Sequence, residues 1–166
     1  MATEEGSPGA ARARPTERFA RQHGEIVALS KTLVRELDTR RLAADPSGAR
    51  RALATFAGRL RVHAAMEEEA LYPRLLASSD EQVVAKAREL LDELGPIYQT
   101  FFAFLAKWRE AAAIQADPEG FCRETMQHLY RLKLRLEREN TELYPLVEAL
   151  DPGSSGERVI TPRRDR

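Results

Sequence analysis

Four side chains able to ligate a metal stand where helical periodicity calls for apolar residues. His63 and Glu67 are four positions apart, which places them on one helix face about a turn from each other. They prolong the run Leu53, Phe56, Leu60, whose steps of three and four are those of a buried stripe. His23 holds a similar place among Phe19, Ile26, Ser30, Leu33 and Leu37. Glu139 continues Phe121, Thr125, His128, Leu132 and Arg135. An ionised carboxylate buried without a partner is expensive, so these acids need a cation, a metal or one another. Imidazoles and carboxylates converging from bundle helices hold metal ions, and two of each suit Fe(II), Zn, Mn or Ni without choosing among them.

The elements that must position these residues are long helices. With 166 residues, one cysteine (Cys122), and 26 basic against 26 acidic residues, the chain fits one domain without an internal disulfide. It lacks the bulk charge of a nucleic-acid protein. No apolar run approaches a membrane span, and the first residues lack the apolar core of a secretory signal. A soluble, cytoplasmic protein is the expectation. Residues 1–15 and 151–166 lack apolar periodicity and read as disordered arms around a folded unit over 16–150.

Within that unit the pattern predicts four helices and no strand. The first runs from Thr16 to about Arg40, and the second opens at Asp45-Pro46. The third begins near Ser79, where Ser79 and Gln82 form a capping-box pattern, and carries Leu90, Leu94, Ile97, Phe101, Phe104 and Trp108. The fourth opens at Asp117-Pro118. Short connections imply an all-α, antiparallel up-down four-helix bundle. Asp45-Pro46 recurs 72 residues on as Asp117-Pro118, Glu67 as Glu139, and Leu71-Tyr72-Pro73 as Leu143-Tyr144-Pro145. A helical hairpin has been duplicated. Pro73 and Pro145 should each kink or end a helix.

His23, the stretch His63-Ala-Ala-Met-Glu67, the Leu-Tyr-Pro that follows and its repeat resemble the hemerythrin-like (HHE cation-binding) bundles. The resemblance spans about 16–150 and implies a di-iron centre in which two carboxylates bridge the irons and histidines complete each one. Carried over by position, His23, His63, Glu67 and Glu139 are present. The third-helix histidine is replaced by Leu94 or Gly95, and the last histidine by Arg135. One iron's histidines are kept and the other's are lost, so a standard oxygen-binding di-iron centre is not expected. Arg135, with its permanent charge and planar fork, could pair with Glu139, Glu67 or both in place of the second ion. The site would then hold one metal ion, or none.

The remaining candidates have plainer readings. His128 lies two turns before Arg135's neighbourhood and reads as a hydrogen-bonded core histidine. Tyr98, near the missing third-helix ligand, reads as a packing tyrosine with its hydroxyl tied, with a phenol ligand as the alternative. Phe102 falls off the stripe and could contact a second copy in a homodimer. Glu68 and Glu69 should face solvent, Cys122 should fill core, and Tyr72 and Tyr144 should pack at the bundle end. The pattern supports a protein that senses, stores or regulates through one metal or an ion-pair substitute. A metal-free interaction module is an alternative, as is a mononuclear enzyme acting on O2, peroxide or NO, which a cation lodged in the cavity disfavours. No nucleophile–base pair, phosphate loop or CxxC motif offers another enzyme reading.

Overall fold

A computed structural model describes residues 16–150, and every regular element among them is helical. These are α1 (Glu17–Arg35), α2 (Thr39–Ala44), α3 (Ser47–Met66), α4 (Tyr72–Leu76), α5 (Glu81–Lys107), α6 (Ala111–Ala116), α7 (Pro118–Arg138) and α8 (Tyr144–Ala149). Five-residue π-helical turns, Glu67–Leu71 and Glu139–Leu143, join α3 to α4 and α7 to α8. Four antiparallel rods result: α1, α3–α4, α5 and α7–α8. Among the described residues no helix is long and apolar enough to cross a membrane. The arms expected at 1–15 and 151–166 lie outside the described residues.

The helix ends depart from the sequence pattern in ways that capping chemistry explains. α1 stops at Arg35 rather than near Arg40, because the Glu36 and Leu37 N–H groups turn back onto the Leu33 and Val34 carbonyls. Asp38 then caps α2 by accepting from the Arg41 N–H at 2.8 Å. The connections are therefore not bare turns: α2 and α6 occupy them and pack on each other. At the start of α5 the cap is Asp80 rather than Ser79, its carboxylate accepting from Gln82 and Val83 N–H at 2.9 and 3.4 Å. A carboxylate also meets the positive end of the helix dipole, which a serine hydroxyl does not. α7 opens at Asp117-Pro118, with Asp117 accepting from the Gly120 N–H at 2.8 Å.

Neither Pro73 nor Pro145 ends its helix. A proline ring collides with the carbonyl four residues back and offers no N–H of its own. Widening the preceding turn relieves both problems: Tyr72 N–H bonds Glu67 O and Tyr144 N–H bonds Glu139 O, each five residues back. Both π turns begin at a candidate ligand and end at the tyrosine before the proline. Pro96 lies inside α5, which continues through it.

The interior is layered along the bundle. One apolar cluster includes Ile26, Leu53, Phe56, Leu60, Phe101, Phe104, Trp108, Phe121, Leu132 and Leu136. A second, toward the other end, includes Phe19, Leu71, Tyr72, Leu75, Leu90, Leu143, Tyr144 and Val147. Each long rod passes from one cluster to the other, and His23, His63, Glu67, Arg135 and Glu139 sit at the crossings. Removing Phe56, which is 1% exposed, should cost about 3–5 kcal/mol on truncation to Ala, from lost transfer energy plus the cavity left behind. Met126→Ala, at a side chain 48% exposed, should change stability by no more than about 0.5 kcal/mol. Urea unfolding measures both; equal losses would contradict this placement of the core.

Candidate metal centre

The polar layer is built from three rods. α1 supplies His23, α3 and its π turn supply His63 and Glu67, and α7 and its π turn supply Arg135 and Glu139. All five side chains are 3% exposed or less. One ligating atom from each of His23, His63, Glu67 and Glu139 falls within 4.8 Å of the others. His23 Nε2 lies 3.0 Å from His63 Nε2 and 3.3 Å from Glu139 Oε2, while His63 Nε2 lies 3.5 Å from Glu67 Oε1. Two nitrogens bound at right angles to one ion at about 2.1 Å stand about 3 Å apart.

Polar neighbours fix both imidazoles in one orientation. His23 Nδ1–H donates to Asn140 Oδ1 at 2.9 Å, and His63 Nδ1–H donates to Gln22 Oε1 at 3.1 Å. Gln22 is held in turn by its amide donating to Met66 Sδ at 3.1 Å. An amide oxygen only accepts, so each ring carries a proton on Nδ1, and the Nε2 atoms are the ones turned toward each other and toward the glutamates. The two Nε2 atoms converge on one point between the rods, where a shared cation would be within reach of both. Glu67 Oε2 and Glu139 Oε2 are buried with no hydrogen-bond partner, which leaves two carboxylate oxygens for the same ion. The donor set fits a transition metal.

Arg135 pairs with Glu139 rather than with Glu67, its Nε donating to Glu139 Oε1 at 2.7 Å. Its Nη2 donates to the Tyr72 hydroxyl. The equivalent tyrosine, Tyr144, lies 2.9 Å from His23 Nε2 and donates to Glu67 Oε1 at 2.9 Å. The tyrosines expected merely to pack at the bundle end thus send their hydroxyls into the site. In an α-helix a residue five positions past the glutamate points about 140° away, whereas the π turn returns it to the glutamate's side. Gln22 and Asn140 also escape a search for ligands, though each adjoins one: Gln22 precedes His23 and Asn140 follows Glu139.

Other candidates stand elsewhere. His128 is half-buried against the Phe101 and Phe104 rings, with centroids 5.8 and 4.8 Å away, so aromatic contacts take the place of the expected hydrogen bond. Tyr98 packs against both apolar clusters. Its hydroxyl makes no hydrogen bond with a described residue, contrary to the expectation that it is tied. Phe102 is exposed beneath the Arg61 guanidinium, 5.0 Å from the ring centroid. Glu68 and Glu69 face solvent, and Cys122 lies partly buried against the core. Leu94 and Gly95 both fall within α5, and their side-chain positions lie outside the described set.

A family model described as hemerythrin HHE cation binding domain matches residues 14–147 of the chain. Among curated proteins and solved structures, none matches.

Protonation follows from burial and neighbours. Burial, reinforced by the nearby Glu139 charge, pushes the Glu67 carboxyl well above the usual carboxylate range. Burial opposes ionisation of Glu139 too, but His23 and Arg135 outweigh it and hold that carboxyl below its usual value. His63 is pushed down to about 4, by burial first and by His23 second. Without metal the layer therefore holds an Arg135–Glu139 ion pair beside a Glu67 carboxyl that gives up its proton less readily than usual and a neutral His63. For Glu67 the folded value is the raised one. Its contribution to stability is complete below the unfolded value of 4.5 and is lost as pH rises through the folded value. His63 acts oppositely, stabilising above 6.5 and losing that contribution as pH falls through about 4. In chelator-stripped protein, Glu67→Gln, which needs no proton to stay neutral, should gain stability relative to wild type as pH rises above 4.5. Urea midpoints across pH measure this, and a gap independent of pH would contradict it.

Proposed function

The chain belongs to the hemerythrin HHE cation-binding family, and we propose that it holds a single divalent transition-metal ion, with Arg135 standing in for a second. His23, His63, Glu67 and Glu139 are the ligands in this reading. The observation that carries it is the pair of imidazoles whose Nε2 atoms meet at 3.0 Å, each locked from behind by an amide oxygen. Metal-binding histidines are oriented by such rear contacts. A bound ion supplies Lewis-acid or redox chemistry at this point. The protein's part is to exclude water, turn the two imidazole Nε2 atoms toward the ion, and give up the Glu67 proton in its favour.

Arg135 separates this site from a paired-iron carrier. Its guanidinium stands at the position that corresponds, through the 72-residue repeat, to His63. It uses Glu139 Oε1, leaving only Oε2 for a metal. A fixed buried cation there electrostatically opposes a second divalent ion and fills space that a diatomic ligand would need. Sensing, storage or regulation keyed to one ion suits this arrangement better than oxygen transport. The competing reading is a metal-free module whose layer is only an ion pair; the Arg135–Glu139 contact favours it.

Elemental analysis after anaerobic loading with Fe(II), and separately with Zn, Mn or Ni, decides between them. The expected content is about one ion per chain, with affinity weakened roughly 10–100-fold in Asn140→Ala, where a rear contact is lost, and binding abolished in His63→Ala. Two ions per chain would overturn the half-site, and none with any of these metals would leave the ion-pair module.

A further inference from the structure

We propose that the Tyr144 phenol oxygen is a fifth protein donor to the ion, a reading that rests on the single-ion site above. Its oxygen lies 2.9 Å from His23 Nε2 and 2.9 Å from Glu67 Oε1. Those spacings match the 3.0–3.5 Å that separate neighbouring ligand atoms. Tyr144 thus occupies another corner of the same cluster, although its residue type is not one first sought in metal sites.

The internal repeat supplies an independent indication. Tyr72 and Tyr144 are related by the same 72-residue offset that relates Glu67 to Glu139 and His63 to Arg135. Each tyrosine reaches across to the other hairpin's half of the site. Tyr72 presents its oxygen to the Arg135 guanidinium, a permanent cation. Tyr144 presents its oxygen to the half in which no guanidinium stands, where His23 and Glu67 converge. The fold thus places one phenol oxygen against each of two cation positions, and only one of those cations is part of the chain.

Tyr144 is also held in place. Its ring is buried, stacks on His23 at a centroid distance of 5.3 Å and leans on Phe19 at 6.1 Å. The π turn from Glu139 fixes its backbone. The site has no need to reorganise to bring this oxygen to the ion.

The test uses full-length protein stripped with chelator, loaded anaerobically with Fe(II) to one ion per chain, then treated with one equivalent of ferricyanide and desalted. One electron passes from iron to ferricyanide, the phenol proton goes to buffer, and an oxygen–iron bond forms. The expected result is a visible phenolate-to-iron charge-transfer band with tyrosine ring modes enhanced in resonance Raman spectra. The band should vanish in Tyr144→Phe while iron content stays near one, and should survive in Tyr72→Phe and Tyr98→Phe. The latter two, with Tyr130 62% exposed and away from the layer, assign it even if Tyr144→Phe does not fold. Iron bound at one per chain with no such band, or with a band that persists in Tyr144→Phe, overturns the ligation alone. Failure of the wild type to hold iron or any of the other metals overturns it together with the single-ion reading.

Discussion

Two buried glutamates stand beside one guanidinium, which pairs with only one of them. That imbalance governs the polar layer, because an unpaired carboxylate away from water costs several kcal/mol. Glu139 is satisfied by Arg135 at 2.7 Å. Glu67 has no ion pair with a guanidinium or ammonium among the described residues, and burial strengthens its hold on its proton. In the proposed reading a divalent ion would take the place of that proton opposite Glu67. Arg135 pairs with Glu139 within the layer and, in the proposed reading, limits by the same charge what the layer can accept.

The layer survives because an apolar cluster packs on either side of it. Phe19 and Ile26 flank His23 along α1, Leu60 and Leu71 bracket His63 and Glu67, and Leu136 and Leu143 bracket Glu139. Polar residues confined to one level forfeit little core area while being shielded from competing water. The prolines then act at a distance. Pro73 and Pro145 force the turns before them to widen, and the widened turns aim Tyr72 and Tyr144 at the site. A backbone accommodation at the helix end thereby sets the chemistry of the metal layer. Outside, Arg138 reaches Glu89 and Glu142, at 2.5 and 3.0 Å, and also Glu93. Each exposed pair contributes little alone, but together they tie α7 and its π turn to α5.

Much of this was legible in the residues. The helical bundle follows from periodicity, and the duplication from the recurrence of Asp-Pro and Leu-Tyr-Pro. The cluster of His23, His63, Glu67 and Glu139 was visible because charged residues on a buried stripe demand a reason. What escaped depends on geometry that spacing does not encode. A π turn looks like an α-helix in sequence, so the tyrosines read only as packing at the bundle end. Gln22 and Asn140 are common polar residues whose role appears only when a ring nitrogen faces them. The early end of α1 turns on how Asp38 caps a helix of only six residues, a competition between local hydrogen bonds that periodicity does not register.

Calorimetric titration of chelator-stripped protein with Zn(II), in two buffers of different ionisation enthalpy, tests the central claim most directly because it counts ions and protons together. The account predicts saturation near one ion per chain with at least one proton released, the one Glu67 holds while the site is empty. Saturation at two ions, or uptake of an ion with no proton leaving, would contradict it.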